Sequence, residues 1–144
     1  MTTRGAIANL RTHGLTVPTL APSAAEVELT VRAVGLNFRD VLNVLGEYPG
    51  DPGPPGLDCS GVTVAVGARV RHLHRGDACF GFAFGSLATT ARTAAGLLVR
   101  KPRHLSHDEA CSLPITFSTV RSGLRSRFII SPPPRPPKPL LPAH

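Results

Sequence analysis

Six histidines, three cysteines, one tyrosine and nine carboxylates are the side chains in this 144-residue chain able to move a proton, hold a metal or attack an electrophile. His72 and His74 stand two apart and would share a face in an extended segment. A zinc site needs three or four converging His, Cys or carboxylate ligands. They read as exposed loop residues, with metal binding the lesser reading. His104 and His107 flank a short helical segment and have no recognised partner in the sequence. Cys59, Cys79 and Cys111 are far apart and form no C-x-x-C, which points to neither a disulfide framework nor structural zinc. A nucleophilic Cys59 would need an activating base, and no histidine stands near it in sequence. A small buried residue beside Gly61 is the plainer role, and Cys111 reads the same way. The densest polar grouping, Asn37, Asp40, Tyr48 and Asp51, lies within Val34–Gly61, where a Gly- and Pro-rich loop follows a helix. A loop beside a rigid helix can form the rim of a binding site. Asn37 also reads as a helix cap, and Tyr48 as a packed loop aromatic.

The elements that must position these residues are mostly strands. Val27 to Ala33 alternates small or apolar with polar residues, the period of a half-buried strand. Residues 61–66 form a second β-prone run. Cys79 to Phe84 forms a third, with Gly81 at its middle marking a bulge or barrel bend. Leu97 to Val99 is a fourth, stopped by Pro102. Short strands at this spacing predict a small β-barrel or sandwich. Phe38, Val41, Leu42 and Leu45 keep helical spacing between an N-cap at Asn37 and a stop at Gly46. Ser106–Glu109 is a capping box, and Pro114 is expected to end or kink the helix it opens.

The run GLNFRDVLNVLGEYPGDPGPPG resembles the signature of the zinc-independent medium-chain dehydrogenase/reductases. It is most similar to enoylreductase domains of polyketide synthases. The likeness continues through CSGVTVAVGARVRHL-x-RGD, FGFAFGSLATTAR and LLVRKPRHLS-x-x-EACSLPITFSTV, and covers about residues 4–120. It implies a mainly β, GroES-like small barrel with short helices, the half that meets a Rossmann half across the active-site cleft. It also implies reduction of an α,β-unsaturated acyl thioester by NADPH. Asn37 and Thr119 match cofactor-binding positions near the nicotinamide. Tyr48 matches a catalytic tyrosine linked to protonation or its stereochemistry. Asp40 matches a further position whose role is expected to be structural. Zinc-using relatives carry a cysteine at the position of Asn37 and His-Glu at Leu57-Asp58, so no zinc is expected.

Residues 1–120 are thus expected to form the GroES-like half, and residues 121–144 a Pro-rich, disordered tail. G-x-G-x-x-G occurs nowhere in the chain, and 24 residues after Val120 are too few for a βαβ unit. The Rossmann half is therefore expected to be absent, and the chain alone not to turn over NADPH. The partner implied is an acyl thioester on an acyl carrier protein. The charge of +7 is concentrated after residue 109, where five Lys/Arg meet no acid. The remainder lacks the basic face and stacking aromatics of a nucleic-acid binder. No apolar run spans a membrane, no signal peptide is evident, and the unpaired cysteines fit a reducing, cytoplasmic setting. A second reading is an interaction protein whose tail, Pro133 to Lys138, fits P-x-x-P-x-K and docks on a partner. A quinone or other alkene reductase is the nearest enzymatic substitute.

Overall fold

The computed structural model describes residues 5–14 and 21–125. Its strands are β1 (Glu26–Gly35), β2 (Asp58–Val66), β3 (Ala78–Phe82), β4 (Thr90–Ala94) and β5 (Leu98–Arg100). The helices are α1 (Phe38–Leu45), α2 (His107–Cys111) and α3 (Pro114–Arg125), with single 3₁₀ turns at Ile7–Asn9 and Ala95–Leu97. No described helix is long and apolar enough to cross a membrane. Of the expected Pro-rich tail, residues 121–144, those from 126 on fall outside the described residues.

The five strands form one antiparallel sheet in the order β4-β1-β2-β3-β5. Four inter-strand steps of about 4.8 Å would set the edges of a flat sheet about 19 Å apart. Yet the edge strands β4 and β5 are joined through Ala95–Leu97 alone, a link that reaches about 14 Å fully extended. The sheet must therefore curl until its edges meet, which makes it a small barrel. His72 pins the seam: its Nε2 lies 3.0 Å from the Ala95 carbonyl and 3.2 Å from that of Leu98, and donates to them. The core inside is small-residue packing: Val27, Leu29, Cys59, Leu73, Cys79, Ala83, Ala91, Ala95 and Leu98.

The strand expected at 27–33 is present; Val27 and Leu29 are buried with Glu28 half-buried between them, while Thr30, Val31 and Ala33 are all half-buried. One sequence expectation needs correcting, and two features of the fold lie outside what the sequence reading covered. β4 was not anticipated, because Thr-Ala-Arg-Thr-Ala presents only Ala91 and Thr93 to the interior. Pro114 neither ends nor kinks α2, which stops at Cys111. Instead it opens α3, where its missing N–H costs nothing. Residue 120 then lies inside that helix, which runs to Arg125.

The helical spacing of α1 does not say which of its sides faces in. Its caps are as expected, with Asn37 in extended backbone and Gly46 left-handed at φ 78°. Its apolar stripe, however, faces outward: Phe38 is 75% exposed, and Val41 and Leu45 are exposed as well. The buried side chains are Asp40 and Asn43.

Candidate functional site

The inverted α1 packs on backbone rather than on a hydrophobic core. The loop after Gly46 holds four prolines, which donate no N–H, and glycines at positive φ, so it cannot form a ladder of its own. Asp40 Oδ1 accepts the Gly56 N–H at 2.8 Å, and Oδ2 accepts the Asn37 N–H at 3.0 Å. Asn43 Nδ2 donates to the Gly53 carbonyl at 2.9 Å, and Arg39 donates to the Pro52 carbonyl. Arg39 also lies over the Phe84 ring, 5.8 Å from its centroid. From the other side, the Gly85 N–H donates to Gly56 and that of Leu87 to Pro55.

Tyr48 sits half-buried in this loop. Asn37 is half-buried where β1 turns into α1, while Thr119 is exposed on α3. Among the described residues no hydrogen bond joins Tyr48 or Thr119 to Asn37. The connection runs through two carboxylates instead. Asp40 links Asn37 to the end of the Tyr48 loop. Asp58, 1% exposed, accepts the Ile115 N–H at 3.2 Å and so ties the first turn of α3 to the strand end beside Asn37. Burial pushes the Asp58 carboxyl above the usual range. The Ile115 N–H and the Asn37 amide pull it back, and the charge of Asp40 adds to the rise. Neither Asp58 Oδ1 nor Asn37 Nδ2, both shielded from solvent, completes a hydrogen bond. Gly35 pairs with Asp58 across β1 and β2, and a Cβ there would strike the Cys111 carbonyl, so α2 closes on this corner.

The histidines do not gather. His72 serves the barrel seam, and His74 lies on the surface beside Asp77 at 3.5 Å. His107 meets Ser60 Oγ at 2.7 Å, a pairing the sequence hid because the residues stand 47 apart. Among the described residues no group of three or more His, Cys, Asp or Glu could hold a metal ion. All three cysteines are buried and free. An open groove of about 530 Å³ runs between the barrel and α3, lined by Phe80, Phe82, Leu97, Val99, Phe117 and Arg121. It touches none of Asn37, Tyr48 or Thr119.

Residues 23–103 match the model of the alcohol dehydrogenase GroES-like domain. The phenolphthiocerol synthesis polyketide synthase type I Pks15/1 of Mycobacterium marinum is 39% identical over 113 residues, 78% of this chain and 5% of that protein. The solved CurK enoyl reductase superposes with a TM-score of 0.78 at 35% identity, over 87% of this chain and 41% of the other. The Escherichia coli quinone oxidoreductase complexed with NADPH gives a TM-score of 0.73 at 26% identity, over 91% and 41%. The chain thus spans under half of each solved relative and a small part of the polyketide synthase.

Proposed function

The chain belongs to the alcohol dehydrogenase GroES-like domain family, and from that premise we propose that it is the substrate-side half of a polyketide synthase enoylreductase domain. The observation that carries this is the joint likeness to polyketide synthases in sequence and to an enoyl reductase in structure. It is supported by Asn37 at the head of α1 in place of a metal-binding cysteine. NADPH, when bound, supplies the hydride for the β-carbon of an α,β-unsaturated acyl thioester. The half-buried Asn37 and the exposed Thr119 would border its nicotinamide end, and Tyr48 would hold or deliver the proton at the α-carbon. The chain's side chains fit that end of the cofactor only, because the sequence contains no G-x-G-x-x-G turn to bind the pyrophosphate. Reaction therefore requires a dinucleotide-binding half as well, since hydride transfer needs both reactants held in one geometry. The thioester would arrive on an acyl carrier protein, in a soluble, cytoplasmic setting.

The test is to join residues 1–120 to the dinucleotide-binding half of an enoylreductase. The joined protein should oxidise NADPH with a crotonyl thioester, and Tyr48→Phe should lower the rate or change the product's stereochemistry. The 144-residue chain alone should do neither. Turnover by the chain alone would remove the need for a second half. The quinone oxidoreductase likeness favours a second reading: reduction of quinones but of no enoyl thioester would put that reading first.

A further inference from the structure

We propose that Asp40 and Asn43 are positioning residues that set where Tyr48 stands, by gripping the Gly–Pro loop against the polar face of α1. The inference deepens the reading of Tyr48 as a working residue and names what holds it. A buried carboxylate and a buried amide are costly unless their hydrogen bonds are met. Asp40 is 4% exposed and Asn43 6%, and both spend their bonds on main chain rather than on other side chains. The loop has little means of shaping itself: Pro49, Pro52, Pro54 and Pro55 donate nothing, and Gly46, Gly50, Gly53 and Gly56 all sit at positive φ. Tyr48 lies between the two ends of this grip. On one side the Gly46 N–H donates to Asn43 and Leu42 carbonyls. On the other Gly53 and Gly56 are held by Asn43 and Asp40. Arg39 adds a bond to Pro52 between them.

The chemistry requires aspartate at position 40. Its two oxygens face two N–H donors, those of Asn37 and Gly56. An asparagine would offer one acceptor and turn its own N–H₂ toward the second donor. The same carboxylate therefore fixes the backbone at Asn37 and the far end of the Tyr48 loop together.

The test uses the whole chain, in which Tyr48 is the one tyrosine and there is no tryptophan, so its fluorescence reports on this loop alone. In Asp40→Asn and in Asn43→Ala, acrylamide quenching of Tyr48 should rise about twofold as a half-buried ring becomes exposed. Exchange of the Gly56 amide should quicken about tenfold in Asp40→Asn as its hydrogen bond is lost. Phe38→Ser, on the outward face of the same helix, should change neither. In the unaltered chain, at urea concentrations below global unfolding, the Gly56 amide and Tyr48 should open together, and this measurement needs no variant to fold. Unchanged quenching in a folded Asp40→Asn or Asn43→Ala, or separate opening of Gly56 and Tyr48, would overturn the proposal. None of these readouts involves a thioester, so the placement of Tyr48 and the enoylreductase reading can fail independently.

Discussion

Ser60 Oγ lies 2.7 Å from His107 Nδ1 and 3.0 Å from the Cys79 carbonyl. A carbonyl only accepts, so the single hydroxyl proton goes to Cys79, and Ser60 must accept from Nδ1–H of His107. The pair is a latch holding α2 to β2, not a nucleophile and its base, because Ser60 is wholly buried.

The burial of His107 and the cations around it make stability depend on pH. Burial depresses the pKa of His107 below its ordinary 6.5, and the charges of Lys101 and Arg32 add to this against a smaller pull from Asp108. The unfolded chain then takes up the proton at higher pH than the folded one. The stabilising contribution is full above about 6.5 and is lost as pH falls from there toward the folded value. The urea midpoint should drop between pH 7.5 and 5, and less so in His107→Gln. An equal drop in both would remove His107 as the cause.

The thiols should be inert in the folded chain. Burial first, then the charges of Cys79, Asp58 and Cys111, push the Cys59 thiol up to about 12, against a pull from Ser86. Burial is likewise the leading cause that raises Cys79 and Cys111. At pH 8 about one Cys59 in 10⁴ is thiolate. Titration with a disulfide reagent should find no fast-reacting cysteine in the native chain and three in denaturant. A fast native thiol would contradict this.

Asp58→Asn should leave the chain at least as stable at pH 7. Asparagine can still accept from the Ile115 N–H, and it carries no charge. Because the folded carboxyl titrates above its ordinary 3.8, the contribution of Asp58 is full below that value and is lost as pH rises through the folded one. The advantage of the variant should therefore vanish below about pH 4 in thermal unfolding. A large loss at pH 7 would show that the ionised carboxylate is needed at this corner.

Gly81→Ala should cost about 2–3 kcal/mol. Gly81 has φ +151°, and an added Cβ would run into the Leu97 carbonyl where β5 closes the barrel. Denaturant midpoints would show the loss. Gly96, with open space at its Cβ, should accept alanine with little effect.

The frame of the molecule was readable in the chain wherever one residue type had one reason to be there. Strict alternation marked β1, and an Asn cap and a left-handed Gly marked the ends of α1. What escaped had two explanations in the same letters. The spacing of Phe38, Val41 and Leu45 fits a helix but does not say which side faces in. The answer came from a neighbouring loop whose backbone needed polar partners. Thr90–Ala94 carries no large apolar residue, so its pairing with β1 supplies what its side chains do not. Of the site, Asn37, Tyr48 and Thr119 could be named by resemblance. Asp40 was named by resemblance too, but what Asp40 and Asp58 tie together emerges only from contacts spanning 16 and 57 residues.

The order in which β1 acquires its neighbours has a bearing on synthesis. On one side it pairs with β2, which begins at Asp58. On the other it waits for β4, and the Glu28–Arg92 ion pair joins residues 64 apart. As the chain leaves the ribosome, one edge of β1 stays open until residue 94 has emerged. Pairings this distant form slowly, and an open apolar edge is a template for other chains. Aggregation during expression should therefore track the time spent translating residues 67–94, and slower codons there should lower the soluble yield without altering the finished protein.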